Sequence, residues 1–169
     1  MITTLAVLAY VCALSLFFVV VIPPLAPTRL FMRFLPQDIR DAAKDHPDPP
    51  KERRILGYLL TAVLAVAYVG GLVLIGADAL RHGCGFWRIF GRYMLFLYGY
   101  KIFDILVQDQ WLVLRYGYYK KLYPETENCA GWQDRSFNKA EQTKRIVIYP
   151  FLCLLLAAAF VFLRQAGLI

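Results

Sequence analysis

Residues 55–76 read ILGYLLTAVLAVAYVGGLVLIG, and this stretch decides the class of fold. It contains no charged side chain. A helix needs roughly 20 consecutive apolar residues to cross the hydrocarbon core of a bilayer, whereas an apolar run of about 10–14 is typical of a buried core helix. We therefore predict a transmembrane helix here. Its small residues Gly57, Thr61 and Ala65 recur at every fourth position, which predicts close packing against a neighbouring helix.

Three further apolar blocks of similar length flank this stretch, at about residues 3–22, 93–114 and 146–163. Hydrophobic residues make up 59% of the 169-residue chain, and the mean hydropathy is +0.49. Soluble domains contain about 45–50% apolar residues. The composition therefore predicts an all-α fold, in which residues 1–169 form a single domain: a polytopic bundle of four transmembrane helices.

Basic residues are concentrated in two segments between the apolar blocks, residues 23–54 and 115–145. These segments hold fourteen Lys and Arg residues, against four on the other side of the predicted membrane. Because loops rich in Lys and Arg stay in the cytoplasm, both segments are predicted to be cytoplasmic loops and both termini to lie outside. Within the first loop, residues 29–35 mix basic and bulky apolar side chains, which is typical of a short interfacial helix.

The net charge of +7 would suggest nucleic-acid binding if it formed a patch on a soluble domain. Here the positive charge lies in loops beside apolar blocks, which favours contact with membrane lipid over nucleic acid. No predicted span contains histidine, and the chain has no P-loop, no G-x-S-x-G and no C-x-x-C motif. No cofactor is predicted.

A polar stripe follows the third predicted span. An α-helix turns by ~100° per residue, so several polar and aromatic side chains fall within roughly 60° of Asp104. Lys101 and Asp104 are three residues apart and can pair. A charge at the centre of a membrane helix costs ~2.5–3.5 kcal/mol, so the stripe should face protein or water. The predicted binding or transport residues on it are Tyr100, Lys101, Asp104, Gln108, Trp111 and Arg115.

Asp109 is expected on another face of this helix, ~140° from Asp104 at α-helical rotation. It lies near the predicted cytoplasmic interface, where the second long loop brings Glu125 and Glu127. Carboxylates can act as general acids and bases or bind a metal ion. Asp109 and Glu127 are therefore the candidates for catalysis or metal binding.

The run Asp104-Ile-Leu-Val-Gln-Asp109-Gln-Trp111, followed by Pro124-Glu-Thr126-Glu127, resembles a pattern in small bacterial integral membrane proteins. These proteins form a four-helix family of uncharacterised activity with the pattern D-x4-D-x-W … P-x-T-E. The chain departs from it at position 125, where a glycine would be expected. The resemblance implies a bacterial inner-membrane location. It also groups the two aspartates, Trp111, Thr126 and Glu127 as one site at the cytoplasmic end of the third helix.

Three functions are compatible with these observations. The first is binding or transport of a small ion or solute by a homo-oligomer, because four helices leave little room for a pore within one copy. The second is a membrane enzyme that uses Asp109 and Glu127 on a lipid-like substrate at the cytoplasmic face. The third is a non-catalytic subunit or sensor that binds a protein partner through its basic loops.

Overall fold

The computed structural model describes residues 1–32, 35–134, 136 and 138–167, with the backbone alone at Arg29 and Phe31. All regular structure in these residues is helical, which confirms the predicted all-α class for this part of the chain. The chain builds four long helical segments. These are α1 (Ile2–Val21), α4 (Lys51–Arg81), α5 (Phe86–Phe103), which continues as a π-helical segment (Asp104–Arg115), and α7 (Lys139–Gln165).

Short helices fill the two long connections. In the first are α2 (Thr28–Met32) and α3 (Gln37–Ala42), and α2 lies within the predicted interfacial helix. Arg33 and Phe34, which complete that prediction, are outside the described residues. The second connection contains α6 (Tyr118–Leu122) and two 3₁₀ turns, Pro124–Thr126 and Ala130–Gln133.

Three helices, α1, α4 and α7, are long and apolar enough to cross a membrane. They contain the predicted spans 55–76 and 146–163 and nearly all of span 3–22. Each buries only a minor part of its apolar stretch within the chain, and large apolar side chains such as Phe17, Leu59 and Leu155 are exposed. Soluble monomers rarely expose apolar surface on this scale, so the three helices are compatible with a membrane protein.

The long helices share one core, centred on α5. Tyr93 and Phe96 of α5 are fully buried, and the Tyr93 hydroxyl donates a hydrogen bond to the Leu72 carbonyl of α4 at 3.1 Å. On α7, the small residues Cys153 and Ala157 face this core and are also fully buried. Small side chains let helix axes approach closely, so α5 and α7 pack side by side over much of their length.

The two long connections fold together beneath the end of the bundle, and we call the described parts of residues 23–50 and 116–134 the loop layer. Ile39 from the first connection packs with Tyr123 and Trp132 from the second in a separate buried cluster. The Asp38 carboxylate accepts a hydrogen bond from the Gly131 amide at 2.7 Å. The Tyr118 hydroxyl donates to the Val20 carbonyl at 2.6 Å, which fixes the layer to the end of α1.

The predicted close packing of small residues occurs at Gly57, whereas Thr61 and Ala65 are exposed. A Cβ atom at Gly57 would lie 2.9 Å from the Leu25 carbonyl oxygen, in the turn after α1. Real Cβ atoms do not approach backbone this closely, so Gly57 is the point at which α4 contacts this turn. At Gly70 of the same helix, a Cβ would have no neighbour within 4 Å.

We expect Gly57→Ala to lower the thermal unfolding temperature of the detergent-purified protein, because the added methyl group must displace backbone. Gly70→Ala is the matched control and should leave the temperature unchanged or raise it, since Ala is favoured over Gly in a helix by about 0.8–1.0 kcal/mol. Equal unfolding temperatures for the two variants would contradict this account of the contact between α4 and the turn.

Candidate functional site

The charged part of the third segment adopts a π-helix from Asp104 to Arg115. Its backbone hydrogen bonds join residues five apart. Such segments are rare in proteins, and those that occur are often found at functional sites. The wider turn changes which side chains share a face. Residues five apart, such as Asp104 and Asp109, now lie about one turn apart, so the α-helical separation assumed from the sequence does not hold for this segment.

Lys101 and Asp104 form an ion pair where α5 meets the π segment, with 2.5 Å between Lys101 Nζ and Asp104 Oδ2. The Lys101 side chain is only 3% exposed, while that of Asp104 is 20% exposed. An ammonium group removed from water is tolerated only when it is paired. Asp104 is therefore the group that allows Lys101 to sit in the bundle.

Gln108 connects the π segment to α1. Its Nε2 donates a hydrogen bond to Ser15 Oγ at 2.7 Å, and that hydroxyl in turn donates to the Cys12 carbonyl at 3.1 Å. Gln108 and Ser15 are both buried, so this hydrogen-bonded chain lies within the protein. This contact with α1 fixes the rotation of the π segment about its own axis.

Asp109 connects the same segment to α7. Its carboxylate Oδ2 accepts a hydrogen bond from Gln142 Nε2 at 2.9 Å. The other end of that amide, Gln142 Oε1, is buried and has no hydrogen-bond partner among the described residues. A buried acceptor without a partner costs about 1–3 kcal/mol, and such groups are few in folded proteins. The carboxylate and the free amide oxygen thus form a site rich in acceptors.

A cavity of about 310 Å³ adjoins this site. Lys139 is exposed where α7 begins, and no ion pair joins it or any other described cation to Asp109. The Asp109 carboxylate is partly exposed and lines this cavity, whereas Gln142 Oε1 is buried behind it. The cavity is lined by Ile105, Asp109, Gln110, Ser136, Asn138, Lys139 and Gln142.

Two other residues of the predicted stripe lie on the surface, and one packs inside. Trp111 is 50% exposed and stacks on Tyr116, with ring centroids 6.1 Å apart, and Arg115 is exposed as well. Tyr100 is half-buried, and its ring meets that of Tyr68 edge to face at 5.4 Å. The structure therefore separates the stripe into an inner part and a surface part near the loop layer.

Thr126 and Glu127 both belong to the loop layer. Thr126 is fully buried, and its hydroxyl donates to the Tyr123 carbonyl at 2.7 Å, while its own carbonyl accepts from Trp132 Nε1 at 2.7 Å. These contacts stabilise the loop. Glu127 is exposed, and in the described residues no hydrogen bond joins it to Asp109 and no cluster of three His, Cys, Asp or Glu side chains forms.

Burial favours the neutral forms of two tyrosines and one cysteine in the loop layer. Burial raises the pKa of Tyr123 to about 12, and burial raises that of its stacked neighbour Tyr119 as well. Burial also raises the pKa of the Cys129 thiol, whose Sγ lies 3.6 Å from the Asp38 carbonyl oxygen. Because a thiolate is the nucleophilic form, the structure favours a packing role for Cys129.

Sequence reasoning missed the polar cluster at the opposite end of the bundle. Arg92 of α5 pairs with Asp78 of α4, and the Thr3 hydroxyl of α1 donates to Asp78 Oδ1 at 2.9 Å. The Arg92 side chain is buried. Two signals were available in the sequence: Asp78 directly follows an uncharged run, and Arg92 directly precedes an aromatic residue in the third predicted span. Ser15 and Gln142 had no comparable signal, because their importance comes from neighbours distant in the sequence.

No protein-family model, curated protein or solved structure matches the chain. The resemblance to small four-helix bacterial membrane proteins stays a prediction. The functional conclusion therefore depends on the geometry of the π segment and its partners.

Removing one member of the Lys101–Asp104 pair should destabilise the protein strongly. Asp104→Asn leaves a buried ammonium group without a counter-charge, which costs about 3–5 kcal/mol in comparable buried pairs. The double variant Lys101→Met/Asp104→Leu should recover most of this loss, because no buried charge remains. Reversible unfolding in detergent, compared between the single and double variants, measures both effects.

The matched control is the exposed Lys144–Glu141 pair, which has the same three-residue spacing and a 2.8 Å distance. Glu141→Gln should change stability little, because water already solvates both groups. An Asp104→Asn variant as stable as Glu141→Gln would show that Lys101 does not need its partner.

Proposed function

We propose that the chain is a four-span membrane protein that binds, and as a homo-oligomer transports, a small ion or solute along its third helix. The observation that carries this proposal is the unpartnered, buried oxygen Gln142 Oε1 beside the Asp109 carboxylate. A carboxylate beside an unpartnered amide oxygen favours a ligand that is a cation or that brings a proton to donate.

The exposed apolar faces of α1, α4 and α7 support membrane placement. The fourth span of the proposal is α5 together with the π segment. Its charged groups are compatible with this depth because Arg92, Lys101 and Asp109 have partners on the protein. An even number of spans also agrees with the basic residues of both long connections lying on one side, which the positive-inside rule makes cytoplasmic.

The polar groups are distributed along the whole third helix. Arg92 and Asp78 stand at one end, the Lys101–Asp104 pair near the middle, and Gln108 and Asp109 towards the loop layer. This spacing supports stepwise passage of a small ligand between polar positions, as in channels with several binding sites in series.

A homo-oligomer is proposed because four helices leave little room for a pore within one copy. A path for a small ligand would then lie between neighbouring copies.

The enzyme alternative receives less support from the geometry. It requires Asp109 and Glu127 to act together, and they contact different parts of the described structure: Asp109 bonds to α7, and Glu127 is exposed in the loop layer. The partner-protein alternative draws on the basic loops alone and leaves the acceptor site beside Asp109 without a role.

The test is ion flux into proteoliposomes that contain the purified protein. Asp109→Asn keeps the size of the side chain and its contact with Gln142 but removes the negative charge. We expect a loss of proton or monovalent-cation flux of about tenfold or more, the factor that corresponds to ~1.4 kcal/mol of lost interaction. A pH-sensitive dye inside the vesicles reports protons, and ion-selective dyes report Na⁺ and K⁺.

Asp134→Asn is the matched control, because Asp134 is an exposed loop carboxylate that bonds only to Ser136 in the described structure. It should conduct like the unmodified protein. Flux that is absent from the unmodified protein, or equal in both variants, would contradict a transport role for Asp109.

A further inference from the structure

A second cavity, a groove of about 630 Å³, lies where the π segment meets the loop layer. Its apolar lining is Leu106, Trp111, Leu114 and Trp132, and the side chains of Leu106 and Trp111 are 59% and 50% exposed. Its polar lining is Gln110, Arg115 and Gln133, of which Arg115 ends the π segment and Gln133 comes from the loop layer. The groove thus offers apolar surface together with a cation, Arg115, at its loop-layer side.

Two further basic side chains lie over aromatic rings near the groove. Lys121 Nζ lies 3.9 Å from the ring centroid of Tyr116, and that ring stacks on Trp111 in the groove wall. Lys120 Nζ lies 5.9 Å from the ring centroid of Trp132, which lines the groove on the loop-layer side.

Arg115 is exposed and makes no ion pair in the described part of the chain. The groove-lining residues that the structure describes include no Asp or Glu. A cation in the groove wall, two more beside the aromatic rings at its border and exposed apolar side chains favour an occupant with an anionic head and an apolar tail.

We propose that this groove binds an anionic phospholipid from the leaflet that faces the loop layer. The acyl chain lies against Leu106 and Trp111, and the guanidinium group of Arg115 binds the phosphate. Arginine matches phosphate with two parallel hydrogen bonds, and tryptophan is enriched where lipid headgroups meet hydrocarbon. This site rests on the proposed membrane placement and is independent of transport through Asp109.

Tryptophan quenching by brominated lipids tests the proposal on the full chain. Trp87 is exposed at the opposite end of the bundle, so a Trp87→Phe background leaves Trp111 and Trp132 as the reporters in the groove. This protein is placed in vesicles that contain either brominated phosphatidylglycerol or brominated phosphatidylcholine at the same mole fraction. We expect stronger quenching by the anionic lipid.

Arg115→Gln should reduce the preference for the anionic lipid about fivefold, the factor that corresponds to ~1 kcal/mol for one basic residue near an anionic surface. Arg115→Lys should retain part of the preference, because it keeps the charge and loses only the paired hydrogen bonds. Arg88→Gln is the control for a change in net charge, since Arg88 is an exposed arginine at the other end of α5. It should leave the preference unchanged.

Equal quenching by the two lipids, or a preference that Arg115→Gln leaves intact, would overturn the site while the membrane placement stands. Absence of quenching by either lipid would overturn both. Loss of the preference on adding millimolar glycerol phosphate would also overturn the lipid assignment, because it would show that the groove takes free phosphate.

Discussion

A buried lysine that needs a counter-charge is the constraint on which the rest of the structure depends. Lys101 is almost wholly enclosed, and the Asp104 carboxylate, 2.5 Å away, is its charged partner in the described structure. An unpaired ammonium group in an apolar bundle would carry a large desolvation cost. The helix that holds the pair must therefore turn it towards protein, which sets the rotation of α5 and places its apolar residues against α4 and α7.

The π segment begins at Asp104, the partner of this lysine, and two more of its polar side chains have partners on the protein. Gln108 bonds to α1 and Asp109 to α7, although they are adjacent in sequence. These two tertiary contacts hold the rotation of a helix type that rarely extends beyond one turn. The same segment lines both the cavity beside Asp109 and the groove that we propose binds lipid, and Gln110 contributes to both. The loop layer stabilises the end of the π segment, because its buried tyrosines and Trp132 pack in one cluster with Val113.

Much of the helical architecture could be predicted from the sequence, whereas the arrangement of the site could be predicted only in part. Residues 55–76 lack charge, and the structure places them inside a single long helix, α4. The spacing of Lys101 and Asp104 also indicated that they could pair. The sequence predicts the position of Asp109 at α-helical rotation, and the π segment changes that rotation. The resemblance in pattern groups Thr126 with Asp104 and Asp109, whereas Thr126 lies buried in the loop layer and its hydroxyl donates a hydrogen bond to a backbone carbonyl.

The sequence by itself determined where the long helices form and that three of them are apolar enough to lie in a membrane, because both properties follow from the composition and order of neighbouring residues. Only the tertiary structure decided which polar groups meet. Ser15 and Gln108 are far apart in the chain, as are Asp109 and Gln142, and their hydrogen bonds depend on how whole helices pack. The physical reason is that a single side-chain contact between distant helices leaves no periodic trace in either helix, whereas the burial of a whole face does.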